Sequence, residues 1–584
     1  MLVTAARAAP PPPPPPPDPN EPAPVSKTGR YSRYELETIR SVEESLGSKL
    51  DAVPHGKRVE SIEYVALDVI ERRDPLPLFL NAVHVTTKDY VLAREMLFRV
   101  GDPYVQVMVD ETARNLRALP PLSLVLIVPL RGSKEDTVRV AVITKDIWSL
   151  RISWDVLVTP GGLERLLMLP GEINLAGTHQ TAQARFFYQP ESITLGGRYY
   201  VPRLFGSRIA ASADANVIVN KGSGNPEGSW ASAGIGQPLF STRTEWAWGV
   251  SAGYRHEITR RYVNAAQSAF TSSRVPGASM PFRYRTQTAS AEAYAVRSFG
   301  WARKFDITAG FEYVQRLYTI FDAPTSDPAL VAEFQRTRVP LSDTRSGPYL
   351  QLRAYSTDFT RLLDFDTLGL QEDYRTGYDA YLRVQPVATA FGASRTYLST
   401  SGGAQYTVPL GDVLVRAQVE GLVDLRTDQI PDASITTVLH IASPLTPFGR
   451  LVFDGRYLDR IRNYLNRTSS LGGESRLRGF PSAYFVGEDV VVGNLEFRTR
   501  PVQIASIQLA GAAFYDAAKV TSPGTPENVY QSLGVGFRIL FPQLDRTVFR
   551  GDLGFPVAPE GLPPGVGPVS FFATFDQAFQ TPTL

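Results

Sequence analysis

The chain has 584 residues, 43% of them apolar and 11% aromatic, which is room for several soluble domains or for one large barrel with an accessory unit. A net charge of +2 gives no reason to expect nucleic acid as a partner, and the absence of cysteine excludes disulfides and thiolate metal sites. No run reaches the roughly 18 to 20 consecutive apolar residues of a membrane helix; the longest, Leu122 to Leu130, is broken by Ser123 and Pro129.

Mean hydropathy is -0.12, which suits a soluble protein. It suits a membrane β-barrel equally, because lipid-facing and lumen-facing residues alternate and average out. Residues 1–30 begin with MLVTAARAAP, where Ala6-Arg7-Ala8 reads as a signal-type cleavage site behind a shortened apolar stretch, or as a small-residue tip. Pro10 to Pro17 is an unbroken proline run, and Pro-rich sequence continues to Pro24. Lacking backbone donors, this segment reads as a disordered polyproline II spacer, with a recognition ligand as the alternative. Residues 31–54 read as a linker holding a short helix, with Leu36, Ile39, Val42 and Leu46 near helical spacing. A solvated linker helix is the simpler account of that stretch.

Residues 55–149 read as a small α+β domain. Val59 to Val69 is a strand, and Thr87 to Val100 a helix with Thr86 or Thr87 as N-cap and Gly101 as its stop. Asp110 to Leu119 is a second helix, ended by Pro120-Pro121. Leu122 to Val128 and Thr137 to Thr144 complete a strand pair across the polar turn Arg131-Gly132-Ser133-Lys134. The order is β-α-α-β-β.

From residue 150 to 584 period-2 alternation takes over. Trp246, Trp248, Val250, Ala252 and Tyr254 alternate with Glu245, Gly249, Ser251, Gly253 and Arg255. Val413, Val415, Ala417 and Val419 alternate with Arg416, Gln418 and Glu420, which places the two sets on opposite strand faces. A soluble sandwich alternates too. Long strands, aromatics at strand ends (Phe186-Phe187-Tyr188, Tyr199-Tyr200, Phe571-Phe572) and long polar connections favour a transmembrane antiparallel β-barrel. About 26 residues per strand and connection gives about 16 strands, the even number such barrels require. The closing strand is Pro568 to Phe579, with Phe571, Phe575 and Phe579 on one face as an assembly signal, and the first strand falls within Ile173 to Gln189.

Leu477 to Pro501, LRGFPSAYFVGEDVVVGNLEFRTRP, sets Arg478-Gly479-Phe480 in a Gly/Pro/Ser-rich segment ahead of a strand that carries Glu496, and the following AFYDAAKV supplies Asp516. This ordered set resembles the outer-membrane assembly and secretion superfamily of BamA, TamA and the TpsB transporters. The resemblance implies a long surface loop that folds back into a sixteen-stranded barrel and locks through Arg478, Gly479 and Phe480 onto Glu496 and Asp516 of the wall. It further implies that residues 55–149 are one periplasmic POTRA domain, with VGDPYVQVMVDETARNLRAL similar to the family's helix entry and TKDIWSL to the junction with the barrel. Family members usually carry two or more such domains. The implied function is BamA/TamA-like insertion of other β-barrel proteins into the bacterial outer membrane. Implied partners are unfolded outer-membrane protein clients, outer-membrane lipid, and periplasmic chaperones or accessory lipoproteins. The alternative is a TpsB-like transporter secreting one exoprotein, with Tyr34 to Leu50 as its plug helix.

Nothing in the sequence points to an enzyme, a cofactor or a metal. His55, His84, His179, His256 and His440 are scattered without ligand spacing. Gly473-Glu474-Ser475-Arg476-Leu477 lacks the closing glycine of a nucleophile elbow.

Overall fold

The computed structural model describes residues 31–584 apart from 73, 321–326, 428, 474–475, 522–527, 576 and 580–584; the expected signal remnant and Pro-rich spacer at 1–30 lie outside the described residues. The first element is helix α1 (Arg33–Leu46), fixed by a capping box in which Ser32 Oγ accepts from Glu35 N and the Glu35 carboxylate accepts from Ser32 N. Gly47, in the left-handed conformation, ends it.

A small unit follows, built of β1 (Arg58–Leu67), α2 (Asp89–Glu95), α3 (Gln106–Arg117), β2 (Leu122–Arg131) and β3 (Thr137–Asp146). Its sheet runs β1-β3-β2, with β1 parallel and β2 antiparallel to β3. Val59, Val138, Val140 and Val142 on one face pack against Leu92, Val109, Ala113 and Leu116 of the helices. α2 is shorter than the expected Thr87 to Val100. The Asp102 carboxylate accepts from Arg99 N and ties a turn there, so the backbone is drawn out of the helix. α1 is not a solvated linker helix. Its Tyr34, Ile39 and Val42 are buried between the other face of the sheet (Leu124, Leu126, Ile143) and four barrel residues, Leu368, Leu370, Leu540 and Val548.

The barrel begins immediately at residue 150. Its strands are β4 (Leu150–Thr159), β5 (Gly162–Leu175), β6 (Gln180–Tyr188), β7 (Ser192–Val201), β8 (Ala210–Asn220), β9 (Pro226–Gln237) and β10 (Trp246–Arg260). Next come β11 (Arg283–Phe299), β12 (Arg303–Thr319), β13 (Asp343–Ser356), β14 (Gly377–Val387), β15 (Tyr397–Leu410), β16 (Val413–Leu425) and β17 (Asp432–Ala442). The wall ends with β18 (Gly449–Asn463), β19 (Asp489–Thr499), β20 (Ile507–Thr521), β21 (Val529–Leu540), β22 (Phe549–Val557) and β23 (Ser570–Phe575). Each pairs antiparallel with the next, and β23 closes on β4.

These twenty strands correct the expectation of about 16. Length per strand was overestimated because many turns are minimal, such as Pro160-Gly161 and Gly411-Asp412, while chain length concentrates in a few long connections. The first strand lies at Leu150–Thr159 and not within Ile173 to Gln189, since TKDIWSL runs straight into the wall. Adjacent aromatics also split between faces, as a pleated strand demands: Tyr199 is exposed on the outside, and Phe572, buried, faces the lumen.

The turns after β5, β7 and β9 meet the small unit. Asn174 Nδ2 donates to Thr87 Oγ1 at 3.1 Å, Arg203 Nε to Glu95 at 2.7 Å, and Thr242 N to Glu111 at 2.6 Å. This end of the barrel is the proximal mouth. A hairpin (Phe359–Leu363 with Gln371–Arg375), inserted between β13 and β14, covers that mouth. At the distal end, α4 (Pro328–Arg338) packs Leu330 and Phe334 against Phe270, Met280 and Phe282 of another loop.

Outer faces carry exposed Leu195, Val217, Trp246, Leu350, Leu439 and Val535. A closed wall with such an apolar exterior is suited to hydrocarbon and not to water. Val535→Arg is therefore expected to cost about 2–4 kcal/mol, read as loss of the heat-modifiable folded band. Ser251→Arg, on the lumen face, should leave that band unchanged.

Burial pushes the Glu35 carboxyl up to about 6 from its ordinary 4.5. The folded state therefore holds this proton more tightly than the free chain. Docking of α1 is strongest below about 4.5 and weakens as pH rises through about 6. Protection factors across residues 33–46, taken relative to the intrinsic exchange rate at each pH, should fall over that interval in the native protein and stay constant in Glu35→Gln; constant native protection would refute the coupling.

Candidate functional site

The connection from β18 to β19, residues 464–488, starts at the distal end and turns down into the lumen. Its tip carries Arg478, whose side chain is fully buried. Arg478 Nε and backbone N both donate to Asp516 Oδ2 at 3.0 Å, and its Nη2 donates to Asp516 Oδ1 at 3.0 Å. Nη1 donates to Glu496 at 2.5 Å and reaches Asp552 at 3.4 Å. The planar fork of a guanidinium, always charged, suits this two-pronged contact; a lysine would satisfy part of it.

The three carboxylates come from one stretch of the wall: Glu496 on β19, Asp516 on β20 and, one strand further on past β21, Asp552 on β22. Each points inward because it holds a lumen position in its strand's alternation. Three further guanidiniums share them. Arg498 donates to Glu496 at 2.9 Å, Arg538 to Asp552 at 2.6 Å and Arg550 to Asp552 at 3.0 Å. Asn494 Nδ2 bonds both Asp516 and the Arg476 carbonyl, tying the loop to the wall a second time. Arg498 also lies 3.9 Å from Asp366, so four guanidiniums meet four carboxylates around the lock.

Two rings flank the Arg478 guanidinium, Phe514 at 3.4 Å and Phe579 at 4.8 Å from Cζ. Gly479 has φ of 139°, and a Cβ there would lie 2.9 Å from Ser532 Cβ and 3.1 Å from the Phe555 backbone. Only glycine fits. Phe480 is buried with Leu471, Leu477, Phe485 and Val492.

The structure thus brings Arg478, Gly479, Phe480, Glu496 and Asp516 together. It separates the three closing-strand phenylalanines. Phe571 and Phe575 lie on the outer wall, Phe575 against Trp154 at 5.7 Å and Phe549 at 5.3 Å. Phe579 does not share that face, because the strand ends at Phe575 and Phe579 lies in the lumen. Sequence reasoning missed Asp552, Arg498, Arg538, Arg550 and Phe514. Alternation relative to Glu496 and Asp516 places Arg498 and Phe514 on the lumen face; nothing in sequence predicts that Asp552 reaches Arg478. Among the described residues, no group of three or more His, Cys, Asp or Glu converges as a metal site.

The last and first strands meet over a short seam. Phe571 to Thr574 pair with Val158 to Asp155, whereas β10 and β11 pair over fifteen positions. The proximal part of β4, with Leu150 65% and Ile152 51% exposed, has no partner on the β23 side among the described residues.

A closed antiparallel barrel with an apolar exterior, a loop locked inside its lumen and a small unit at one mouth defines a plugged barrel of the transmembrane type. No protein-family model matches the sequence, and no curated protein does. Among solved structures, BamA from Haemophilus ducreyi lacking POTRA domains 1–3 is 13% identical, covering 93% of this chain and 94% of that one, with a TM-score of 0.35. CdiB from Acinetobacter baumannii is 12% identical (92% and 81% covered, TM-score 0.40), and CdiB from Escherichia coli 11% identical (91% and 80%, TM-score 0.43). Likeness at these TM-scores decides nothing about function, which has to be read from the chain's own geometry.

Arg478→Ala leaves three buried carboxylates short of their central partner and is expected to cost about 3–5 kcal/mol. The measurement is the denaturant midpoint of the barrel, with the small unit remaining folded by its own amide-exchange protection. Arg478→Lys should lie between wild type and alanine; a wild-type midpoint for Arg478→Ala would remove the lock.

Proposed function

We propose that the protein is an outer-membrane β-barrel of the BamA/TamA/TpsB superfamily, and that it assists insertion of other β-barrel proteins into the bacterial outer membrane. In this reading the small unit is a POTRA domain facing the periplasm, and the distal loops face the cell surface. Its β-α-α-β-β order and its position before the barrel support the POTRA reading. Twenty strands depart from the sixteen that the resemblance implies, so this barrel would be a wide variant of the family's.

The observation that carries the proposal is the four-residue seam. A strand edge is a row of unpaired backbone donors and acceptors, and in lipid those groups must find partners. The seam is the place where this wall opens at least cost, and its half-free β4 edge can template an incoming strand. The small unit offers a second edge. β2 is covered: Arg131 N donates to Lys49 O, Asp51 N to Pro129 O, and Arg117 reaches Val125 O. The outward backbone groups of Ser61 to Ala66 on β1 meet no partner among the described residues. An extended client can add there by backbone hydrogen bonds, which are indifferent to sequence.

A secretion transporter is the second reading, favoured by a different observation. The lumen faces of β9, β10 and β11, opposite the lock, expose Ser232, Ser251 and Ser290 to solvent, leaving one side of the barrel open to a passing chain.

Depletion in the native host, followed by quantitative proteomics of outer membrane and medium, separates the two. Joint loss of many barrel proteins is the expected result. Loss of a single exoprotein with the barrels intact would overturn the assembly reading in favour of secretion.

A further inference from the structure

Residues 577–579, just beyond the closing strand, each contact the lock. Gln577 Oε1 accepts from Arg538 Nε at 2.7 Å, the Ala578 carbonyl accepts from Arg498 Nη2 at 2.5 Å, and the Phe579 ring lies 4.8 Å from Arg478 Cζ. All three are buried. At the other end of the same strand, Ser570 Oγ donates to the Gly479 carbonyl at 3.3 Å, and just before it the Pro564 carbonyl accepts from Tyr484 Oη at 2.8 Å. The last strand is therefore held at both of its ends by the loop and its arginines.

The chemistry of these contacts is complementary to the lock. Each of the four guanidiniums has a carboxylate partner, and each offers more donors than that one partner takes. A carbonyl oxygen, an amide oxygen and an aromatic face are the neutral groups that satisfy guanidinium donors and cation. The tail supplies one of each. Phe579 also sits at φ of 54°, a conformation costly for a bulky side chain and kept only where the surroundings enforce it. On the wall, by contrast, the strand pairs with β4 over four residues.

We propose that Gln577, Ala578 and Phe579 form a clasp that positions Arg478 and joins two events: the last strand cannot leave β4 without uncovering the lock, and Arg478 cannot leave its cage without freeing the last strand. Seam opening and loop release are then a single transition, and a ligand or client that draws the tail out of the lumen triggers both. The inference rests on the lock and seam of the proposed function and adds the link between them.

The full chain has no native cysteine, so Val156→Cys with Ala573→Cys, directly paired across the seam, reports its closure by disulfide yield in native membranes. Yield is read in the folded, heat-modifiable band only. Phe579→Ala is expected to raise the open fraction about tenfold, the scale of a desolvated cation–π contact, and so to lower the yield. Arg478→Ala should lower it as well, and the double variant no further than the lower single one. Phe579→Trp, which keeps a π face, should restore it. Wild-type yield in Phe579→Ala alongside a fall in Arg478→Ala would overturn the clasp and leave the lock intact. Wild-type yield in both would overturn the coupling of lock and seam, and a wild-type denaturant midpoint for Arg478→Ala beside it would refute the lock itself. Should Phe579→Ala give no folded band, Phe579→Leu keeps the bulk and loses the π face: a lowered yield supports the clasp, and a wild-type yield overturns it.

Discussion

The structure depends on one buried guanidinium. Taking Arg478 out of water costs several kcal/mol unless its donors are matched, and here Asp516 takes the fork side-on while Glu496 and Asp552 meet the remaining nitrogen. Those acceptors sit on β19, β20 and β22, so the match exists only when these strands hold their observed register. The converse also holds. Without the loop, three carboxylates and three arginines would face one another in the lumen with their central charge missing. The loop is therefore a structural member of the wall it folds against.

The wall is uneven because of this. On the lock side, β19 to β22 are cross-braced from inside by charge pairs, by Phe480 in its apolar cluster and by Gly479 lying flat against β21 and β22. The opposite side, β9 to β11, has long ladders, and its lumen face mixes Ser232, Ser251 and Ser290 with Trp230 and Arg255, whose guanidinium lies 5.0 Å from the Trp230 ring. Between them lies the seam, short in its own ladder. Backbone pairing alone would make it the first place to separate. The internal contacts of the last strand shift its stability from the wall into the lumen, where it is set by ion pairs and rings and not by strand length.

Much of this was legible in the sequence. Alternation identified lipid and lumen faces because one face is apolar throughout, and the ordered Arg478, Glu496 and Asp516 could be grouped because motif spacing fixes which strand each occupies. Strand number was not legible: a turn of two residues and a connection of twenty-five leave no periodic trace of their difference. The position of Phe579 was lost for a related reason. Its spacing from Phe571 and Phe575 continues the strand pattern, but the strand itself stops at Phe575, and alternation cannot report where pairing ends. α1 was misjudged as solvated because its apolar stripe is narrow, and only the third dimension shows two surfaces meeting it.

The small unit is not independent of the lumen. Arg117 of α3 pairs with Asp373, and Arg361 pairs with Asp110 and Asp373, so α3 grips the hairpin at the proximal mouth. Glu35 of α1 accepts from Gln371 N of the same hairpin. The hairpin in turn gives its Phe365 carbonyl to Arg498, which also holds Glu496 and the tail. A continuous chain of buried polar contacts thus runs from the unit outside the barrel to the cage around Arg478. Each contact in it is short-ranged and directional, so a displacement of the small unit by even a hydrogen-bond length must either move the hairpin or break a buried pair.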